Sequence, residues 1–74
     1  MIVEGLGDFY FIRANGERVL LGSNITEPEA MKIMHKFLDD HNFVSYYTNM
    51  YRVDNEVYYD TGSWYEKFVF TIQN

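Results

Sequence analysis

This chain of 74 residues lacks several features that mark common classes of protein. It contains no cysteine, which excludes disulfide bonds, thiolate nucleophiles and cysteine-ligated zinc and is typical of a cytoplasmic protein. It also lacks an apolar run of roughly 20 residues, so no membrane-spanning segment is expected. No basic stretch followed by an apolar one opens the sequence, so we expect no secretory signal and a cytoplasmic location.

Basic residues are scarce as well: six lysines and arginines stand against eleven acidic residues, a formal net charge of −5. Contacts to phosphates need lysine and arginine, so this balance opposes direct binding to nucleic acid. The sequence has one proline and no repeat or low-complexity tract. We therefore expect a single small domain over residues 1–74, with residues 1–7 as a flexible lead-in.

Aromatic residues, by contrast, are plentiful, with seven tyrosines, six phenylalanines and one tryptophan. A domain this short buries roughly 60% of the surface that its unfolded chain exposes, and it has no disulfide bond to stabilise it. Each aromatic side chain adds about 150–250 Å² of burial. Either these rings fill the core of the domain, or a partner completes the burial of some of them.

The first half of the chain predicts a hairpin followed by a helix. Asn15-Gly16 separates two strands, and both residue types accept the positive φ of a two-residue type I′ turn. Thr26 and Glu29 form a capping box, and apolar residues then recur at helical spacing. The predicted elements are strands over residues 8–14 and 17–22 and an amphipathic helix over about residues 27–41.

The second half predicts three more strands, because its apolar residues alternate between short turn sequences. These strands span residues 44–53, 56–60 and 64–72. The element order ββαβββ indicates an α+β fold: one antiparallel sheet of four or five strands, with the single helix packed on one face. Alternation places Phe68, Phe70 and Ile72 on the face under the helix.

One helix covers one face of such a sheet, so tyrosines are expected on the other. Two interpretations stay open, since tyrosine suits strands for its own sake and is also enriched at protein interfaces. A homodimer across this face would bury the same rings. The candidate residues for the uncovered face are Tyr47, Tyr51, Tyr58, Tyr59 and Tyr65.

Acidic residues border these tyrosines in the last two hairpins, at Asp54, Glu56, Asp60 and Glu66. They are either a solubilising rim that protects the sheet edges or part of a surface that enters the basic groove of a nucleic-acid-binding protein. A charge of −5 on so small a chain suits fast association with a basic partner.

Catalytic and metal-binding patterns are not found. His35 and Asp39 stand at helical i, i+4 spacing, which indicates a surface ion pair, and no cluster in the strands supplies further metal ligands. Asp39 and Asp40 are adjacent and point apart, so they do not form a carboxylate pair. The sequence predicts no catalytic residue, no cofactor and no metal site, and the protein is not expected to be an enzyme.

The segment Asp60-Thr61-Gly62-Ser63-Trp64-Tyr65-Glu66-Lys67-Phe68 fits the pattern Asp-x-Gly-Ser-x-x-Glu-x-Phe. It resembles the C-terminal segment of small uncharacterised phage and prophage proteins from Gram-positive bacteria. The resemblance implies a location in the host bacterial cytoplasm. It also implies action by binding a host protein, as anti-CRISPR and anti-restriction inhibitors do.

The combined expectation is a non-enzymatic protein-binding module that inhibits a host nucleic-acid-directed defence protein, such as a nucleic-acid-binding nuclease. The alternative is a self-associating, homodimeric structural or accessory phage protein without inhibitory activity. The predicted partner-binding residues are Tyr47, Tyr51, Asp54, Glu56, Tyr58, Tyr59, Asp60 and Tyr65.

Overall fold

The structure, a computed structural model, describes residues 4–41, 49–61 and 66–73. These residues form one antiparallel sheet of five strands in the order β2-β1-β5-β4-β3, with one helix packed against it. The predicted α+β fold is thereby confirmed. The elements are β1 (Gly7–Ile12), β2 (Arg18–Ile25), α1 (Glu27–Asp40), β3 (Asn49–Val53), β4 (Glu56–Asp60) and β5 (Lys67–Ile72).

The helix begins where the capping box predicts. The side chain of Thr26 accepts a hydrogen bond from the Glu29 amide at 3.4 Å, and the Glu29 carboxylate accepts one from the Thr26 amide at 3.2 Å. At the other end, the amide of His41 and its ring Nδ1 both lie within hydrogen-bond distance of the Phe37 carbonyl, at 3.2 and 2.9 Å. The helix therefore has polar partners at both ends.

The first hairpin turn differs from the predicted two-residue type. Gly16 has a φ of +88°, but Asn15 does not take a positive φ. The Gly16 amide donates a hydrogen bond to the Arg13 carbonyl at 2.8 Å, and the Arg13 amide donates one to the Glu17 carbonyl at 2.8 Å. This pattern is a three-residue loop that ends in a glycine bulge. Asn15 contributes through its side chain, whose Oδ1 accepts from the Glu17 amide at 2.9 Å.

The core lies between the sheet and α1. Phe68 and Phe70 point toward the helix, as predicted, and are 1% and 0% exposed. The ring of Phe9 stacks on that of Phe68, with centroids 5.6 Å apart and planes 4° from parallel. The helix supplies Ala30, Met34 and Leu38 to this cluster, and the sheet also supplies Val57 and Tyr59.

Tyr59 corrects one expectation of the sequence analysis. It is one of the sequence-based candidates for the uncovered face and for partner binding, but its side chain is 1% exposed in the core beneath the helix. Its hydroxyl donates a hydrogen bond to Glu27 Oε2 at 2.8 Å. Burial raises the pKa of Tyr59 well above its usual value, and the bond to Glu27 adds to that effect. Tyr59 is therefore a structural residue that joins β4 to the first turn of α1.

Candidate functional site on the open face of the sheet

The face of the sheet opposite α1, here called the open face, is covered by no helix or strand among residues 4–41, 49–61 and 66–73. Paired residues of an antiparallel sheet share a face, so the strand register groups its side chains into rows. The central row contains Leu20, Tyr10, Val69, Tyr58 and Tyr51, one from each strand.

Two further rows flank the central row on the same face, each displaced by two residues along the strands. The acidic row consists of Asp8, Thr71, Glu56 and Val53. The other flanking row consists of Arg18, Ile12 and Lys67, and continuation of the β4–β5 register adds Asp60 and its partner Asn49. One flanking row of the open face is therefore acidic, the other carries charges of both signs, and aromatic rings stand between them.

Val69, in the middle of the central row, is fully buried although it points away from the helix. Its register neighbours are Tyr10 on one side and Tyr58 on the other. Side chains that stand on the open face therefore shield Val69 from water. This burial is what the interpretation of tyrosines as a cover for the sheet predicts for this part of the face.

Arg18 reaches across the open face from the edge strand β2 to β4. Its Nη1 lies 2.6 Å from Glu56 Oε2, and its guanidinium lies 6.0 Å from the centre of the Tyr10 ring. Glu56 also accepts hydrogen bonds from the hydroxyls of Tyr58, at 2.9 Å, and Thr71, at 3.3 Å. The bond from Arg18 is the main reason why the pKa of Glu56 lies below its usual value. The pKa of Tyr58 lies above its usual value, mainly because of burial and, to a smaller extent, because of its hydrogen bond to Glu56.

The rings of Tyr51 and Tyr58 stack on β3 and β4, with centroids 5.1 Å apart and planes 11° from parallel. Lys67 Nζ donates to the Tyr51 hydroxyl at 3.4 Å. Tyr51 nevertheless stays 41% exposed, and Leu20 and Val53 stay 55% and 53% exposed. In the described part of the chain, these three account for all large exposed hydrophobic side chains except Leu6.

The structure brings together part of the predicted set of partner-binding residues. Tyr51, Glu56 and Tyr58 meet on the open face. Asp54 is exposed in the β3–β4 turn beside them, with its carbonyl held by Arg52 Nε at 2.8 Å. Asp60 is half-buried at the end of β4, paired in register with Asn49. Tyr47 and Tyr65 lie outside the described residues.

Sequence reasoning missed Tyr10, Arg18, Leu20 and Lys67 as members of this surface. The position of Tyr10 could be predicted, because Tyr10 alternates with Phe9 and Phe11 on a strand whose apolar face is evident. The role of Arg18 had no local signal, since its partner Glu56 lies 38 positions further along the chain.

A cleft of about 320 Å³ lies on the helix side of the sheet, beside the end of α1. Phe11 and Phe37 form part of its wall, with Arg13 and His41 beside them. Among the described residues no group of three or more histidine or acidic side chains is placed to hold a metal ion. Nor do these residues contain a buried side-chain polar atom without a hydrogen-bond partner.

Comparison with known proteins gives this chain no relatives: no family model, curated protein or solved structure matches it. In the described ranges, no helix is long and apolar enough to cross a membrane.

Proposed function

We propose that this chain is a non-enzymatic protein-binding module that docks a partner protein on the open face. The observation that carries the proposal is that Leu20, Tyr51 and Val53 stand exposed on the same face of a small acidic domain, with Tyr51 and Val53 together at its β3 edge and Leu20 at its β2 edge. Neighbouring exposed apolar side chains, such as Tyr51 and Val53, are more typical of an interaction site than single ones. Tyrosine in particular combines a large contact area with a hydroxyl that tolerates water.

The open face is also held in place before any partner arrives. Glu56 accepts bonds from Arg18, Tyr58 and Thr71, and the Tyr58 ring in turn stacks on Tyr51. Side chains that are already fixed lose little conformational entropy on binding, which lowers the cost of association. A preformed surface of this kind favours recognition of a folded partner.

The partner is a basic protein of a host cell that handles nucleic acid, and the bound chain inhibits it by covering its nucleic-acid groove. The net charge of −5 supports this choice, because opposite charge speeds encounter with a basic groove. Asp54 is exposed in the turn between β3 and β4, next to Val53 of the open face, and its negative charge supports such an encounter. The phage-like segment Asp60 to Phe68 supports a host defence protein as the target.

The test starts by capturing the partner of tagged protein from a Gram-positive lysate and purifying it. Association rates are then measured at two salt concentrations for wild type, Asp54→Lys and Asp39→Lys. Asp39 is exposed on the helix, on the opposite side of the sheet. Both variants replace an aspartate by a lysine, so they change the net charge equally. We expect Asp54→Lys to associate more slowly and with less salt dependence, and Asp39→Lys to behave more like wild type.

Equal slowing by both variants would show that overall charge alone steers association, and would overturn the role assigned to Asp54. Binding that both variants leave unchanged would overturn the electrostatic basis of the proposal. Inhibition is tested separately, as loss of nucleic-acid binding by the purified partner when the chain is added; simultaneous binding of both would refute the inhibitor mechanism.

A further inference from the structure

The loop between β1 and β2 contains a pair of residues with a chemistry of its own, Asn15-Gly16. An asparagine side chain loses ammonia without an enzyme when the backbone nitrogen of the next residue attacks its amide carbon. Glycine favours this attack, because it has no Cβ that crowds the nitrogen. Every other asparagine of the chain is followed by a bulkier residue or ends the sequence. Asn15 and Gly16 are both exposed, so water and hydroxide reach the loop.

The folded loop holds both of the groups that would react. The Gly16 amide donates to the Arg13 carbonyl at 2.8 Å, and Asn15 Oδ1 accepts from the Glu17 amide at 2.9 Å. Attack requires that the Gly16 N–H first gives its proton to hydroxide, and a hydrogen-bonded amide releases its proton when that bond opens. The bond from Glu17 polarises the side-chain carbonyl of Asn15, but this helps only after the Gly16 nitrogen has lost its proton. The closed loop therefore blocks the first step.

We infer that Asn15 is a site of spontaneous deamidation that the folded hairpin suppresses and that opening of the loop exposes. In the open loop, the deprotonated Gly16 nitrogen forms a bond to Asn15 Cγ. The C–N bond of the side-chain amide then breaks, and the leaving nitrogen takes a proton from water and departs as ammonia. One water molecule hydrolyses the resulting five-membered imide at either carbonyl. The balance is asparagine plus water giving ammonia and either aspartate or isoaspartate, with no oxidation or reduction.

The two products affect the hairpin differently. Aspartate keeps a side-chain oxygen for the Glu17 amide and adds one negative charge to the net charge of −5. Isoaspartate carries the backbone through its side chain, so the loop becomes one atom longer. Loop length sets the register of a hairpin, and the Ile12–Arg18 pair lies close beside this loop. We therefore expect isoaspartate to destabilise the pairing of β1 with β2. This inference needs no binding partner and is independent of the proposed function.

The experiment incubates the purified chain in mildly alkaline buffer, with and without denaturing guanidinium chloride. Mass spectrometry of proteolytic fragments gives the rate of conversion at each asparagine, and chromatography separates the aspartate and isoaspartate forms. Asn55, exposed in the β3–β4 turn and followed by Glu56, is the internal reference. Gly16→Ala is the matched variant: its Cβ meets open space in the folded loop and crowds the attacking nitrogen in the denatured chain.

In the denatured chain, we expect Asn15 to convert faster than Asn55 and Gly16→Ala to slow its conversion. In native buffer, conversion of Asn15 should be slower than in the denatured chain by about tenfold or more, since the loop has to open first. Equal rates in the two buffers would overturn the protection by the hairpin.

Conversion of Asn15 no faster than that of Asn55 in the denatured chain would overturn the assignment of the site. The purified isoaspartate form should also have a lower free energy of unfolding than Asn15→Asp, which supplies the aspartate form. Equal free energies of unfolding would overturn the effect on the pairing of β1 with β2.

Discussion

The bond between Arg18 and Glu56 ties an edge strand to a strand three places away in the sheet, and its contribution to stability is measurable. The perturbation is a double-mutant cycle with Arg18→Gln, Glu56→Gln and the pair of changes together. Each substitution removes one charge and keeps a side chain of similar length. The cycle isolates the interaction between the two residues from the effects of each one alone.

The expected coupling is about 1 kcal/mol. At 2.6 Å, Coulomb's law with an effective dielectric constant between 40 and 80 gives roughly 1.6–3 kcal/mol of gross attraction. The conformational entropy lost when the two long side chains are fixed offsets about 1–2 kcal/mol of this attraction. The two side chains are 40% and 30% exposed, so solvent screening keeps the value near the upper end for surface pairs.

The assay is urea denaturation of the four proteins, followed by far-ultraviolet circular dichroism at pH 7 and at lower pH. Arg18 holds the pKa of Glu56 below its usual value, so the ion pair stabilises the fold above the pKa that Glu56 has in the unfolded chain, about 4.3. The coupling should therefore be complete at pH 7 and disappear as the pH falls through the lowered pKa. Added salt should also reduce it.

A coupling below about 0.3 kcal/mol at pH 7 would refute this reasoning, because the pair would then be no stronger than an average exposed one. A coupling that persists at low pH would refute the assignment of the stabilisation to the ionised carboxylate. Either result would remove the support for an open face that is held in place before a partner binds.

Two further predictions concern the core. Tyr59→Phe removes the hydrogen bond to Glu27 and should cost about 1 kcal/mol at pH 7 in urea denaturation. Burial raises the pKa of Tyr59, so the wild-type free energy of unfolding should fall as the pH rises above about 10. The free energy of unfolding of Tyr59→Phe should fall less over the same range; equal falls in both proteins would count against this account. Gly7→Ala places a Cβ 2.7 Å from the Phe70 ring and closer still to the Thr71 carbonyl oxygen, so it should cost more than about 2 kcal/mol. In Gly16→Ala the added Cβ meets open space and only the φ of +88° is strained, so the loss of stability should be about 1 kcal/mol. Equal losses of stability in Gly7→Ala and Gly16→Ala would contradict the packing argument.

Local signals in the sequence predicted much of the fold. The capping box at Thr26 is a contact between residues three apart, and the helix begins there because nothing distant competes with it. Alternation likewise predicted that Phe68 and Phe70 lie under the helix. The Asn15-Gly16 turn was placed correctly but given the wrong type, because the same residue pair suits both a two-residue turn and a loop with a glycine bulge.

The site was less predictable because it depends on the strand order. Alternation separates Tyr58 from Tyr59 but does not say which of the two faces the helix. The register of β4 against β5 decides this, since it pairs Tyr59 with core residue Phe68 and Tyr58 with Val69. The contact from Arg18 to Glu56 depends on the order β2-β1-β5-β4, which no local pattern encodes.

The central claim is that the open face is the surface that binds a partner protein. The most direct measurement is the dissociation constant of the complex between the purified partner and each of two variants, Tyr51→Ala and His35→Ala. Both residues are exposed, Tyr51 on the open face and His35 on the helix on the other side of the sheet. If the claim is right, Tyr51→Ala weakens binding by tenfold or more, about 1.4 kcal/mol, and His35→Ala leaves it unchanged. Equal affinities for wild type and Tyr51→Ala, or a loss confined to His35→Ala, would contradict it.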